Sequence, residues 1–276
     1  MTRVAAIQMT SSADVTRNLA DTWRLLRAAQ VQGAVVATLP ENFAFMGRAE
    51  TDKLAIAEAD GEGPIQRFLA SAAREFGLWI VAGTLPLRAA TPERVAAACL
   101  VFDADGRVRA RYDKIHLFDV SIPGRDERYL ESKSVQPGTT PVCVDTPAGR
   151  LGLAVCYDMR FPELFRELGR AGADWVCLPS AFTAPTGRAH WEVLLRARAI
   201  ENLVHVVAPA QSGFHENGRE TYGDSLIVDC WGRVLSRLPR GTGCISADLD
   251  LVRQHEVRHN FPALEHRRFD AFPPRA

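Results

Sequence analysis

The sequence repeats its own pattern in order, and this internal repeat limits the folds open to it. The segment GAVVATLPENF, from Gly33 to Phe43, resembles GADWVCLPSAF, from Gly172 to Phe182. Further along each half, LVFDADGRVRAR (Leu100 to Arg111) resembles LIVDCWGRVLSR (Leu226 to Arg237). Because both pairs occur in the same order, we expect each half to form the same set of strands and helices.

Each half is predicted to contain a strand, a helix, a strand ending in Leu-Pro, a second helix, another strand and a hairpin. The first strands are expected at Val4–Met9 and Leu151–Val155. The hairpin turns are expected at Asp103–Gly106 and Asp229–Gly232, where glycine enters left-handed backbone space at little cost. The two halves therefore predict two similar sheets.

Several predicted strands, such as VVATL, LWIVAG, LGLAV and VHVVA, are apolar at nearly every position. Such strands are typical of sheets covered on both faces. If helices cover one face of each sheet, the two halves can bury the remaining faces against each other. The sequence thus predicts an α/β fold, a four-layer α-β-β-α sandwich of two mixed sheets with an internal pseudo-twofold repeat. No linker divides the 276 residues, so we expect a single domain over residues 1–276.

The charge balance argues against nucleic acid or an acidic membrane as partner. Lysine and arginine number 33, and aspartate and glutamate also number 33, so a small molecule is the expected partner. The apolar runs are shorter than the roughly 20 residues that cross a bilayer, and MTRVAAIQM resembles a first strand rather than a signal peptide. We expect a soluble, cytoplasmic protein. Its six cysteines include no CxxC pair, which predicts free thiols.

Three polar residues stand where predicted strands end: Glu41, Lys114 and Cys156. In open α/β sheets, ligands bind beyond the carboxyl ends of the strands, so the fold is expected to bring these residues to one rim. A thiol needs a base or positive potential to attack a carbonyl carbon. Glu41 can take its proton, while Lys114 and the helix expected to begin near Phe161 favour nearby negative charge.

Lys114 and the backbone N–H of Tyr157 can also stabilise the oxyanion of a tetrahedral intermediate, typically by ~3 to 4 kcal/mol per donor. The proton held by the base can then pass to a leaving amine. This set of groups predicts cleavage of a C–N bond by acyl transfer through a thioester, which water then hydrolyses.

The segments LPENF, YDKIHLFD and GLAVCYDMRFPE resemble the nitrilase (carbon–nitrogen hydrolase) superfamily, whose triad is Glu-Lys-Cys. They place Glu41, Lys114 and Cys156 in the family's order, and the resemblance runs nearly end to end. It implies the sandwich fold, no metal, no organic cofactor, and a homodimer or higher homo-oligomer packed through the second-half helices. It also implies a role for Glu131, in ESKSVQPG, in positioning substrate or water.

Within the superfamily, several segments are similar to the branch that hydrolyses amides of small 2-oxo acids. They include DVSIPG, PSAFTAPTG and HWEVLLRARAIEN. That branch contains deaminated glutathione amidases and omega-amidases, the latter acting on 2-oxoglutaramate and 2-oxosuccinamate. The polar segment SGFHENGRETYGDS favours the former, with the latter as alternative. The resemblance implies an amidase that releases ammonia from a carboxylate-bearing amide.

A carboxylate-bearing substrate requires a cation near the nucleophile, ideally a guanidinium with two parallel donors. Arg160, four residues after Cys156, is the positional candidate. Tyr157, Thr183, Thr186 and Tyr222 are candidates for lining the substrate pocket.

Two alternatives from other classes are open to this sequence. One is a catalytically idle partner protein on the same scaffold, which the complete set of three reactive residues disfavours. The other is a zinc metalloprotease, because His255, Glu256 and His259 match H-E-x-x-H. Against zinc, Asn260-Phe261-Pro262 ends that helix at once, and His266 is the one nearby histidine left as a third ligand.

The thiol and zinc interpretations predict opposite inhibitor responses. We expect a thiol alkylator to abolish amide hydrolysis and a metal chelator to leave it unchanged, because the proposed nucleophile is a cysteine. Residual activity after each treatment measures this. Loss with chelator and survival with alkylator would support the zinc site instead.

Overall fold

The computed structural model describes residues 1–124 and 127–269. The elements of the first half are β1 (Thr2–Gln8), α1 (Val15–Val31), β2 (Val36–Thr38), α2 (Pro64–Phe76), β3 (Trp79–Val81), β4 (Leu85–Arg88), β5 (Val95–Phe102) and β6 (Val108–Asp113). A connection follows with β7 (Asp119–Ser121) and β8 (Arg128–Leu130).

The second half begins with β9 (Cys143–Thr146), β10 (Gly149–Leu153), α3 (Pro162–Arg170), β11 (Trp175–Cys177), α4 (Ala184–Asn202) and β12 (His205–Ala208). It continues with β13 (Ser212–Phe214), β14 (Glu220–Tyr222), β15 (Ser225–Val228), β16 (Val234–Leu238), β17 (Gly243–Leu249) and α5 (Leu251–Asn260). Short 3-10 helices occupy Asp52–Ile56, Glu131–Lys133 and Cys156–Arg160.

Two mixed sheets form the centre of the fold. The first has the strand order β17-β1-β2-β3-β5-β4, with β6 also paired to β5, and the second has the order β16-β15-β12-β11-β10-β9. In both sheets the central strands run parallel, as in β1–β2–β3 and β10–β11–β12, and a hairpin lies toward one end. The predicted pair of mixed sheets with a repeated order is confirmed.

Strand β1 shows why both faces of a sheet are apolar. Val4 and Ala6 belong to the core between the sheets, together with Leu151 and Leu153 of β10. The alternate residues Ala5 and Ile7 pack in a second core with α1 and α2. Helices α3 and α4 cover the outer face of the second sheet, as their contacts with β10, β12 and β15 show. The predicted four-layer α-β-β-α order is therefore confirmed.

The two predicted hairpin turns have the same hydrogen bonds. Asp103 Oδ1 accepts from the backbone N–H of Asp105 at 3.0 Å and of Arg107 at 2.9 Å. In the second turn, Asp229 Oδ1 accepts from the backbone N–H of Trp231 at 2.9 Å and of Arg233 at 2.8 Å. The glycines that end these turns, Gly106 and Gly232, have φ of 74° and 83°. Each aspartate thus holds its turn by bonding to backbone beyond it.

The last strand and helix fasten the C-terminal segment to the rest of the fold. Strand β17 pairs antiparallel with β1, which closes the edge of the first sheet with a strand from the other half. On α5, Gln254 is buried and donates to the carbonyls of Asp174 (2.7 Å) and Leu203 (2.8 Å). His255, Glu256 and His259 are exposed on this helix.

No group of three or more His, Cys, Asp or Glu within residues 1–124 and 127–269 could hold a metal ion. In the same ranges, no helix is both long and apolar enough to cross a membrane. The H-E-x-x-H segment is therefore an exposed helix face without a third ligand among these residues.

The Asp103–Gly106 turn gives a stability prediction. A Cβ on Gly106 would lie 2.4 Å from the Ala70 carbonyl oxygen, whereas one on Gly33, at a similar φ of 78°, would meet nothing within 4 Å. We expect Gly33→Ala to lower the free energy of unfolding by about 1 kcal/mol. Gly106→Ala should lower it by about 2 to 4 kcal/mol, because the methyl group also clashes with backbone. Denaturant unfolding measures both, and equal losses would contradict the clash.

Candidate active site

Seven of the predicted site residues line one pocket, among them Glu131, which directly follows β8, and three more that lie beyond strand ends. Glu41 lies beyond β2, Lys114 directly follows β6, and Cys156 lies beyond β10. Together with Glu131 they line a pocket that is partly open to solvent, with a volume of about 490 Å³ when open solvent is included. The fold thus brings together residues that are remote along the chain.

Lys114 is the centre of the pocket's electrostatics. Its Nζ lies 2.8 Å from Glu41 Oε1 and 2.9 Å from both carboxylate oxygens of Glu131, and its side chain is 2% exposed. Burial alone lowers the pKa of Lys114, but Glu131 and Glu41 outweigh burial, so its pKa is raised well above the ordinary value. The side chain is therefore a buried ammonium.

Glu41 is held by both halves of the repeat. Its Oε1 accepts from Lys114, and its Oε2 accepts from the backbone N–H of Ala181 at 2.8 Å. Ala181 lies in LPSAF, the repeat partner of the LPENF segment that contains Glu41. Burial raises the pKa of Glu41, yet the Lys114 ammonium and, more weakly, Arg219 outweigh burial and lower it. Glu41 is thus ionised at neutral pH and able to accept a proton.

Cys156 begins the 3-10 helix Cys156–Arg160 with φ of 48°, a left-handed conformation that is uncommon outside glycine. Its backbone N–H donates to the Pro179 carbonyl at 2.9 Å, and the residue is 6% exposed. Burial and the negative charge of Glu41 raise the pKa of the Cys156 thiol, and Lys114 offsets only part of this.

The resting thiol is therefore neutral, so the positive charge of Lys114 is not enough to make it a thiolate. The helix expected to begin near Phe161 is α3, which starts at Pro162 with Phe161 as its N-cap. A neutral thiol requires a base in order to attack, and the ionised carboxylate of Glu41 is able to accept such a proton.

Glu131 opens the 3-10 helix Glu131–Lys133 and is the second carboxylate on Lys114. Its Oε2 also accepts from the backbone N–H of Phe118 at 2.6 Å. These contacts fix Glu131 against the ammonium and tie the segment after β6 to the pocket.

The other predicted site residues divide into two groups. Tyr157, Thr183 and Thr186 line the pocket, and the hydroxyls of the two threonines lie 2.6 Å apart. Arg160 and Tyr222 are not among the described residues that line it. The Arg160 guanidinium lies 5.2 Å from the ring centroid of Phe182 and also contacts His190 Nδ1.

Tyr222 is placed away from the pocket by helix α4. A Cβ on Gly187 would lie 2.2 Å from Tyr222 Cγ, so the tyrosine ring fills the space that this glycine leaves. The fold therefore uses Tyr222 to pack β14 against α4.

Asp158 is a buried carboxylate to which the sequence analysis gives no role in the site. Its Oδ2 accepts from the Tyr112 hydroxyl (2.7 Å) and the Val155 N–H (2.8 Å). Its Oδ1 accepts from the His116 N–H (3.0 Å) and lies 2.7 Å from His116 Nδ1. Because Tyr112 and His116 flank Lys114, and Val155 precedes Cys156, Asp158 joins the two segments that carry the ammonium and the thiol.

Arg219 is a second residue that sequence analysis did not assign. It follows the β13 strand in the SGFHENGRETYGDS segment and lines the same pocket as Cys156. Its guanidinium donates to the Ala181 carbonyl and lies 5.1 Å from the ring centroid of Tyr129. The sequence shows that this segment is polar but does not indicate which of its residues reaches the pocket.

Comparison with known proteins agrees with this geometry. Residues 3–259 match the sequence model of a family described as carbon-nitrogen hydrolase. The chain belongs to this family. A Synechocystis protein named deaminated glutathione amidase is 44% identical over 268 residues, which cover 96% of this chain and 97% of that protein. A human protein of the same name is 43% identical over 273 residues, covering 98% of this chain and 83% of that protein.

Among solved structures, the Caenorhabditis elegans NitFhit protein superimposes with a TM-score of 0.91 and 38% identity. The match covers 99% of this chain and 66% of that longer one. This carbon–nitrogen hydrolase is therefore an amidase with a small-molecule substrate, and the predicted superfamily is confirmed.

Substitution of Asp158 tests whether it positions the pocket. In Asp158→Asn one oxygen becomes an NH₂ group, which cannot accept from two of the present donors. We expect the free energy of unfolding to fall by about 2 to 4 kcal/mol. We also expect kcat to fall by about tenfold or more, because an increase of about 1.4 kcal/mol in the activation free energy lowers a rate tenfold. Thermal unfolding and steady-state kinetics measure the two effects.

Glu163→Gln, an exposed change on α3, is the matched control and should alter neither quantity. An Asp158→Asn enzyme with unchanged stability and kcat would show that the four contacts of Asp158 do not hold the site together.

Proposed function

We propose that Cys156 is the nucleophile, Glu41 the general base and Lys114 the oxyanion-stabilising cation of an amide hydrolysis. The observation that carries this proposal is the Lys114 ammonium bound to Glu41 and Glu131 in the pocket that Cys156 lines. A neutral thiol beside an ionised carboxylate is the pair that base-assisted attack requires.

In the first step the Cys156 sulfur bonds to the amide carbon, and its proton passes to Glu41. The oxyanion is stabilised by Lys114 and by the backbone N–H of Tyr157. Glu41 then gives the proton to the leaving nitrogen, the C–N bond breaks, and a thioester remains. Water attacks the thioester while Glu41 takes its proton, and Glu41 gives that proton to the sulfur as the C–S bond breaks, which restores the thiol and the carboxylate. Glu131 has a positioning role, because it fixes the Lys114 ammonium.

We propose deaminated glutathione as the substrate. Its support is the name shared by relatives at 43 to 44% identity, together with the shape of the site. Glutathione is a peptide, and loss of its amino group leaves a 2-oxo acid joined by an amide bond to cysteinylglycine. The 2-oxo acid is the acyl group of this amide, and cysteinylglycine is the amine. The leaving group is then this dipeptide, whereas ammonia would leave only from a primary amide.

The pocket opens into a wider basin that can hold such a leaving group. This basin, of about 1450 Å³ including open solvent, shares Glu50, Tyr129 and Arg219 with the inner pocket. A substrate with its acyl end at Cys156 can therefore extend its amine portion outward.

Omega-amidase activity is the second candidate, because 2-oxoglutaramate yields the same acyl group with ammonia as leaving group. Comparing kcat/KM for the two amides separates these functions. A higher value for deaminated glutathione supports the first proposal, and a higher value for 2-oxoglutaramate supports the second.

We also propose that residues 1–276 act as one domain and that the protein forms a homodimer through second-half helices. The pairing of β17 with β1 supports the first point, although residues 270–276 lie outside the described residues. The homodimer is supported by Val193 and Ile200, two exposed apolar side chains on α4.

We also propose a cytoplasmic location.

Mass spectrometry of protein quenched during turnover tests the covalent step. We expect a 2-oxoglutaryl adduct on the peptide containing Cys156, because the thioester is an obligatory intermediate. The five other cysteine-containing positions in the same digest are internal controls and should stay unmodified. Cys156→Ala should show neither adduct nor turnover. Turnover by Cys156→Ala, or an adduct on another cysteine, would contradict the proposal.

A further inference from the structure

The leaving group of the proposed substrate carries a carboxylate of its own, and this inference rests on that proposed function. Cysteinylglycine ends in a glycine carboxylate, which lies at most about 7 Å beyond the scissile amide nitrogen in an extended chain. With the amide carbon at Cys156, this carboxylate extends toward the basin, which shares Glu50, Tyr129 and Arg219 with the inner pocket. Because a carboxylate binds most strongly to cationic donors, the cations of the basin decide where it is held.

Four of the described side chains that line the basin are cationic, and two of these have partners. The four are Arg48, Arg128, Lys133 and Arg219. The Arg48 guanidinium forms a salt bridge with Glu216 at 3.0 Å. The Arg219 guanidinium donates to the Ala181 carbonyl and lies over the Tyr129 ring. Both of these cations already have fixed contacts.

Arg128 and Lys133 differ from the other two. Within residues 1–124 and 127–269, neither side chain forms a salt bridge or a hydrogen bond, and both residues are exposed. A ligand carboxylate can therefore bind to them without displacing a carboxylate of the protein.

The acidic side chains of the basin do not cancel its positive charge. The described carboxylates that line it are Glu50, Glu127 and Glu220, against four cations, which leaves an excess of one positive charge. Glu50 Oε2 also lies 2.9 Å from Lys53 Nζ, and Glu127 Oε2 accepts from the Tyr129 hydroxyl at 3.1 Å. The basin is thus locally cationic in a chain whose formal net charge is zero.

Strand β8 and the 3-10 helix that follows it place the two cations beside the inner pocket. Tyr129 lines both cavities, and its neighbour Arg128 is exposed at the basin because successive residues of a strand point to opposite faces. The helix Glu131–Lys133 begins with the carboxylate that binds the Lys114 ammonium and ends with Lys133. Each cation is therefore one or two residues away from a side chain of the inner pocket.

The basin also contains apolar surface that a cysteine side chain can cover. Leu130 and Phe214 line it and are 42% and 75% exposed. In cysteinylglycine the cysteine side chain lies between the scissile amide and the glycine carboxylate, so it passes this surface on the way to the cations. Contact between them removes apolar area from water. Ammonia, the leaving group of a primary amide, uses neither feature.

We propose that the basin is a leaving-group site, in which Arg128 and Lys133 bind the terminal carboxylate of the departing peptide. The site favours peptide amides, whose amine portion ends in a carboxylate, over primary amides, which release ammonia. It acts on binding, since neither cation lines the inner pocket in which the bonds change. Salt weakens it, because exposed charges are screened over about 8 Å at physiological ionic strength.

The test compares three substrates that share one acyl group: deaminated glutathione, its glycine N-methylamide and 2-oxoglutaramate. Formation of 2-oxoglutarate is the readout for all three. In Arg128→Gln/Lys133→Gln we expect kcat/KM for deaminated glutathione to fall about tenfold, mainly through KM, because two exposed charge contacts are lost. The methylamide and 2-oxoglutaramate should each change by less than about twofold, which also shows that the catalytic groups are intact. Lys133→Arg should keep the wild-type preference.

Arg67→Gln/Arg107→Gln is the matched control, since it removes two exposed arginines that do not line the basin. It should leave the kcat/KM ratio of deaminated glutathione to its methylamide unchanged. In the wild type this ratio should fall as ionic strength rises, whereas in Arg128→Gln/Lys133→Gln it should stay constant. Equal losses for the two substrates in that variant, or a wild type that does not distinguish them, would overturn the inference.

The activity of the wild type separates failure of this inference from failure of the proposed function. If the wild type hydrolyses deaminated glutathione and Arg128→Gln/Lys133→Gln keeps the preference for the free acid, the inference fails and the proposed function stands. If the wild type hydrolyses 2-oxoglutaramate but not deaminated glutathione, ammonia is the leaving group and the leaving-group site is refuted. If it hydrolyses neither, the proposed function fails and the inference falls with it.

Discussion

The buried contact between the Lys114 ammonium and two carboxylates is the interaction on which the rest of the site depends. Removing an ammonium from water costs several kcal/mol, and Glu41 and Glu131 compensate at 2.8 to 2.9 Å. One ammonium and two carboxylates carry a net charge of −1. Arg219 places a positive charge close to them and helps to lower the pKa of Glu41. The same contact keeps Glu41 ionised, so a structural requirement of the pocket also prepares its base.

The repeat explains how one chain brings this cluster together, because each half contributes residues to it. Glu41 and Lys114 come from the first half, Cys156 from the second, and the backbone N–H of Ala181 returns to Glu41 from the repeated Leu-Pro segment. Asp158 joins the Lys114 and Cys156 segments by accepting hydrogen bonds from both. Glu41 is therefore held by both halves, and the segments that carry Lys114 and Cys156 are joined across the halves by the Asp158 side chain.

The layers, the strand order of each half and the two aspartate turns were predictable because they depend on local periodicity and on the repeat. The convergence of Glu41, Lys114 and Cys156 followed from the rule that ligands gather at strand ends. The raised pKa of the Cys156 thiol could not be predicted from the sequence, because it depends on burial and on the charge of Glu41. Arg219 and Asp158 were missed for a similar reason, since a hairpin and a short 3-10 helix direct them. Arg160, which sequence distance from Cys156 favoured, lies against the rings of Tyr157 and Phe182, and these two residues line the pocket.

The ionisation of Glu41 in the resting enzyme is the central claim, and difference infrared spectroscopy between wild type and Glu41→Gln tests it most directly. The account predicts that the Glu41 signal at neutral pH is that of a carboxylate. On acidification it should convert to a carboxylic acid only below the ordinary glutamate pKa of 4.5, because Lys114 outweighs burial. A protonated carboxyl signal at neutral pH that disappears in Glu41→Gln would contradict the account.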